Sequence, residues 1–102
     1  MTMVKSVDAQ TAKIWLTKQQ AIIVDVREPE EYATSHINGS TLIPLGLVEK
    51  NKLPASENKK IIIHCHSGKR SHMACEKLLA EDPNLDLYNL EGGILAWQQA
   101  GL

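Results

Sequence analysis

The stretch Lys60-Ile61-Ile62-Ile63-His64-Cys65-His66-Ser67-Gly68-Lys69-Arg70-Ser71 sets the reading of the whole chain. Three consecutive β-branched isoleucines suit a strand covered on both faces. From Ser71 onward the pattern turns helical: Ser71, Ala74, Cys75, Leu78 and Leu79 fall on one face. Between strand and helix lies a loop that opens with cysteine, Cys65 to Arg70. A helix start leaves backbone N–H groups without intrahelical partners and carries partial positive charge. Gly68 allows a left-handed turn or a close approach of backbone to ligand. The loop can therefore curl its amides around the Cys65 sulfur as an anion-binding nest. Lys69 and Arg70 add fixed positive charge, His64, His66 and His72 can add more, and no acidic residue occurs between Glu57 and Glu76. All of this favours thiolate, the nucleophilic form, so a depressed Cys65 pKa is expected.

Working outward toward the N-terminus, Ala21 to Val26 is a second β-rich apolar run and reads as a buried strand. It ends in Asp25-Val26-Arg27-Glu28, where charge appears abruptly. Sites in parallel α/β sheets lie beyond the carboxyl ends of strands. Asp25 and Arg27 are thus expected beside the Cys65 site, as a structural pair supporting the loop. Pro29 opens a short helix with Glu28, Glu30 and Glu31 at its positive end. Met3 to Lys5 reads as a short strand and Asp8 as a helix N-cap, followed by the apolar stripe Ala9, Ala12, Trp15 and Leu16. His36-Ile37-Asn38-Gly39-Ser40 is a turn, with His36 read as a hydrogen-bonded structural group. Thr41 to Ile43 is a short strand, and Pro44 introduces a brief helix from Leu45 to about Lys50.

Working toward the C-terminus, Asp82-Pro83-Asn84 breaks the long helix. Leu85, Leu87, Tyr88 and Leu90 give the fifth strand. Glu91-Gly92-Gly93 turns into a last helix with Ile94, Trp97 and Gln98 on one face, and Gly101 suits its C-terminal cap. Strands alternating with helices predict an α/β fold: a central, mainly parallel five-stranded sheet with helices on both faces. Residues 1–102 read as one domain, without repeat or linker.

With 43% apolar and 23% charged residues and a net charge of −1, nothing draws the chain toward nucleic acid or an anionic membrane. Any anion preference must be local. Met1 to Ser6 lacks the apolar core of a signal peptide, and no apolar run reaches membrane-spanning length. The expectation is a cytoplasmic protein that needs no cofactor. Two cysteines without a CxxC spacing do not read as a structural disulfide. Cys75, on the core face of its helix, reads as inert rather than as a resolving thiol.

Four stretches, in order and correctly spaced, resemble the single-domain rhodanese family of sulfurtransferases. Asp25-Val26-Arg27-Glu28-Pro29-Glu30-Glu31-Tyr32 resembles the first family motif, and His36-Ile37-Asn38-Gly39-Ser40-Thr41-Leu42-Ile43-Pro44 the segment after it. Cys65-His66-Ser67-Gly68-Lys69-Arg70-Ser71 resembles the active loop C-x-x-G-x-R-S, and Glu91-Gly92-Gly93-Ile94-Leu95-Ala96-Trp97 the C-terminal signature. Ser35 and Ser40 stand where the family often has glycine and alanine. The resemblance implies a rhodanese-like fold and catalysis through a Cys65 persulfide. Thiosulfate would be the donor; cyanide or a thiol, such as thioredoxin or another protein thiol, would be the acceptor. His66, Ser67, Gly68, Lys69 and Arg70 would form the substrate-binding loop, Arg70 binding the sulfonate with Lys69 assisting. Asp25, Arg27 and Ser71 would support it.

Three other readings compete. A cysteine phosphatase or arsenate reductase needs five residues between cysteine and arginine. Here four intervene, and the position needing arginine is Ser71. A persulfide carrier or regulatory module in a sulfur relay would use the same cysteine. Metal binding by His64, Cys65 and His66 is disfavoured: alternation along a strand points Cys65 away from the two histidines, and no second ligand cluster has zinc-like spacing.

Overall fold

The computed structural model describes residues 3–102. Met1 and Thr2, part of the stretch read above as lacking a signal peptide, lie outside it. Five strands form one sheet: β1 (Lys5–Val7), β2 (Ala21–Asp25), β3 (Thr41–Leu42), β4 (Lys60–His64) and β5 (Leu87–Leu90). Their order is β1-β5-β4-β2-β3, and every pairing is parallel. The helices are α1 (Ala9–Thr17), α2 (Pro29–Thr34), α3 (Lys69–Glu81) and α4 (Gly93–Gln99).

The strand period of two sorts the core into halves. Ile61 and Ile63 of β4, with Val24 and Leu87, face α3 and pack on Ala74, Cys75, Leu78 and Leu79. Ile62, with Ile23 and Leu90, faces the other way and packs against Ala12 of α1 and Ile94 and Trp97 of α4. β4 sits at the centre of the sheet, so all three isoleucines are at most 3% exposed. Full burial of one such side chain contributes about 1.5–3 kcal/mol. Among the described residues no helix is long and apolar enough to cross a membrane.

Several boundaries differ from expectation, each for a packing reason. β1 runs from Lys5 to Val7, not Met3 to Lys5, because Val7 must pair with Leu90 and enter the core, whereas Met3 is exposed. The helix expected from Leu45 to Lys50 is instead two single 3-10 turns, Leu45–Leu47 and Lys50–Lys52. Val48 between them takes an extended conformation and is fully buried against the α3-side core, which a continuous helix would prevent. Leu85 precedes β5 and only packs against the core from outside the strand. α3 begins at Lys69, two residues before Ser71, because Gly68 turns left-handed (φ 112°) and starts it early. In α4 Gln98 is exposed, while Ile94 and Trp97 are buried. Asp8 caps α1 through a bond from the Thr11 N–H, 2.8 Å, and Gly101 turns left-handed (φ 76°) just past α4.

Candidate active site

Cys65 follows the last residue of the central strand and points, like Ile61 and Ile63, to the α3 side. Its sulfur is met by donors from the loop and the first turn of α3. The Gly68 N–H donates to Sγ at 3.1 Å, and the Ser71 hydroxyl lies 3.4 Å away. Burial by itself raises the Cys65 pKa. Bonds from the Ser71 hydroxyl and the N–H groups of Ser71, Gly68 and Ser67 outweigh it, and the thiol is held below its ordinary value. A sulfur anion fits this seat for the same reason an oxyanion fits a ring of amides.

The loop is held in that shape from below. The Ile94 N–H donates to the Cys65 carbonyl at 2.9 Å and the Leu95 N–H to the His66 carbonyl at 3.2 Å. With its carbonyls drawn toward α4, the loop turns N–H groups toward the sulfur. Gly93 makes this approach possible: it is left-handed (φ 60°), and an added Cβ would overlap the His66 carbonyl and sit 2.6 Å from the Cys65 oxygen. The sequence shows this glycine only as part of a turn, since the partner it touches lies 27 positions earlier.

Asn89 is a second residue that the sequence does not single out. It pairs with Ile63 across the sheet and, like Leu87, faces α3. Its Nδ2 donates to the Gly68 carbonyl at 3.1 Å, which turns its Oδ1 toward the Ser71 hydroxyl, in very close contact. Ser71 has one hydroxyl proton and two acceptors, Asn89 Oδ1 and Cys65 Sγ. Both acceptors lie within reach of that one proton. The only hint in the sequence is a polar residue in an otherwise apolar strand.

Asp25 and Arg27 form a closed pair at the end of β2. The Arg27 guanidinium donates to Asp25 at 2.7–3.0 Å and to the Ser35 carbonyl at 2.7 Å, and both side chains are buried. They brace the end of α2 against the sheet. His64 is fully buried. Its Nδ1 lies 3.1 Å from the Cys65 carbonyl and its Nε2 3.4 Å from Asp25. Burial pushes its pKa down, against the pull of Asp25 and the Cys65 carbonyl, and nearby Arg27 adds to the lowering. His66, Ser67 and Lys69 are exposed at the mouth of the site. Among the described residues no three His, Cys, Asp or Glu side chains converge at metal-binding range.

Arg70 departs from the local picture of an uncompensated basic loop. Its two terminal nitrogens donate to the two Glu31 oxygens at 2.7 and 2.9 Å. The acidic residue absent from the surrounding sequence is supplied by α2. A cavity of about 290 Å³ lies here, lined by Arg27, Glu31, Ser35, His66 and Ile94 among others. A larger one, about 510 Å³, lies between α1, α4 and Ile37, and no loop residue lines it.

The chain is similar to known proteins. Residues 8–100 match the Rhodanese-like domain. A protein named Sulfurtransferase from Allochromatium vinosum is 32% identical over 98% of this chain and 94% of its own length. Thiosulfate sulfurtransferase GlpE of Pseudoalteromonas translucida is 33% identical over 90% of this chain and 86% of its own. The crystal structure of a rhodanese-related protein from Thermoplasma volcanium superposes with a TM-score of 0.76 at 33% identity, covering 95% of this chain and 93% of that one. The chain spans about half or less of other curated relatives, 49% of one from Synechocystis and 30% of one from Bacillus subtilis. With a parallel five-stranded sheet, a cysteine seated among loop amides and this breadth of similarity, the chain belongs to the rhodanese-like domain family.

Proposed function

We propose that the protein moves sulfane sulfur from a donor such as thiosulfate to cyanide or a thiol through a persulfide on Cys65. The observation that carries this reading is the Cys65 sulfur, buried yet supplied with hydrogen-bond donors that favour its anion. The thiolate attacks the donor's outer sulfur, the S–S bond breaks, and sulfite departs with the electron pair. No proton moves, so no general base is needed. The new outer sulfur is again an anion, and the loop amides hold it. An acceptor thiolate or cyanide then attacks that sulfur and returns Cys65 as thiolate. His66, Ser67, Gly68, Lys69 and Arg70 form the surface that meets the donor, with Ser71, Asp25 and Arg27 in support. Two half-reactions through a covalent intermediate predict ping-pong kinetics. Two unpaired cysteines suit a reducing compartment, with the cytoplasm as the proposed location.

A persulfide carrier within a sulfur relay is the second reading. It is favoured by one observation: Arg70, the group that would grip a sulfonate, is already paired with Glu31. Intact mass after incubation with thiosulfate tests the first reading. A gain of one sulfur, removable by cyanide and absent in Cys65→Ser, is the expected result. Turnover of thiosulfate at rates typical of enzymes rejects the carrier. Failure of thiosulfate, cysteine persulfide and mercaptopyruvate alike to load Cys65 rejects sulfur transfer.

A further inference from the structure

Glu31 and Arg70 come from different elements, and their contact spans 39 residues of chain. The pairing is end-on and two-pronged, the geometry in which a guanidinium grips a carboxylate or another oxyanion. Glu31 is itself fixed. Its Oε1 also accepts the Glu28 N–H at 3.0 Å, as half of the reciprocal cap that opens α2. Swinging the carboxylate away would undo that cap. The Arg70 hydrogen bonds hold the Glu31 carboxyl down to about 2, so it stays ionised at any working pH.

This has two consequences at the site. The guanidinium fork that would hold a sulfonate is already filled, and the pair is neutral as a unit. Arg70 sits in the first turn of α3, two residues after Gly68, whose N–H donates to the Cys65 sulfur, so the guanidinium that Glu31 compensates belongs to the rim of the Cys65 loop. Glu31 itself lines the cavity beside His66. A persulfide on a thiol carries less charge and needs no guanidinium. It reacts as RS–S⁻ with the Cys65 thiolate: the donor S–S bond breaks, RS⁻ leaves with the electron pair, and the outer sulfur remains on Cys65.

We propose that Glu31 is a specificity-determining residue: by occupying Arg70 it disfavours dianionic thiosulfate and turns the Cys65 site toward a sulfane donor of lower charge, a persulfide carried on a thiol. The proposal rests on the sulfur-transfer reading, and its test has a readout that does not. The first measurement is protection of Cys65 from iodoacetamide by sulfate, an inert dianion. Glu31→Gln is expected to give protection at sulfate concentrations at least about threefold lower than wild type. The second is the ratio of loading rates from thiosulfate and from cysteine persulfide, which should shift toward thiosulfate by at least a similar factor. In an Arg70→Met background the Glu31→Gln gain should shrink below about twofold, because it acts through the guanidinium. Glu31→Asp, which withdraws the carboxylate by one methylene, should move both readouts in the same direction if Glu31→Gln does not fold. Unchanged or weaker sulfate protection overturns the proposal, as does a gain that persists without Arg70. If protection shifts as expected but no donor loads Cys65, sulfur transfer falls and the control of anion binding by Glu31 stands.

Discussion

The two cysteines lie ten positions apart, pack in one core cluster and are equally hidden, Cys65 at 1% and Cys75 at 0% exposure. Their acidities move in opposite directions. Burial pushes the Cys75 thiol up to about 12, with nearby Glu76 adding to the rise, while Cys65 is held below its ordinary value. Desolvation opposes the anion in both places. The difference is the supply of donors. Cys75 lies inside α3, where the neighbouring N–H groups are engaged in the helix. Cys65 lies before the same helix, where the N–H groups have no intrahelical partner. Activation here comes from where the chain leaves amides unused, and exposure has little to do with it.

The largest effect is expected when both thiols are measured in one protein. Alkylation at pH 7, read by peptide mass, should be at least about 100-fold faster at Cys65 than at Cys75. The Cys65 rate should rise with pH to a midpoint below the ordinary value of ~8.5, because its folded pKa is lowered. That of Cys75 should still be rising at the highest pH at which the fold survives. Cys75→Ala should change sulfur transfer by less than about twofold. Equal reactivity of the two thiols would refute the donor argument.

Next in size is the support beneath the loop. Gly93→Ala places a methyl against the His66 carbonyl and forces a left-handed residue to carry a side chain. A loss of about 2–4 kcal/mol is expected. Thermal unfolding should show a drop in Tm of about 8 °C or more. An unshifted Tm would mean that α4 does not hold the loop. Smaller again is Ser71→Ala, which removes one donor and leaves the amides. It should raise the Cys65 pKa and slow alkylation at pH 7 by roughly threefold to tenfold. No change would mean that the hydroxyl proton stays with Asn89 in both ionisation states.

Much of the fold can be read from local pattern. The isoleucine run, the helical spacing after Ser71 and the Asp8 cap are signals carried by neighbouring residues, and each lies where it was expected. The site is readable to the same degree: Cys65, Gly68 and Ser71 meet because they are adjacent along one strand–loop–helix turn. What cannot be read are the groups that reach the turn from elsewhere. Asn89 arrives from β5, Gly93 from the start of α4 and Glu31 from α2. Arg70 shows the cost of reading locally. No acid flanks it in sequence, yet a carboxylate grips it in space.

The sequence alone determined the place of Cys65 at the end of a buried central strand and the supply of free amides around it. These follow from backbone geometry within about a dozen residues. Tertiary structure alone decided how the loop is braced, which β5 residue faces the Ser71 hydroxyl and which carboxylate pairs with Arg70. Those depend on contacts between residues 18 to 39 positions apart, and electrostatics acts through distance in space rather than along the chain.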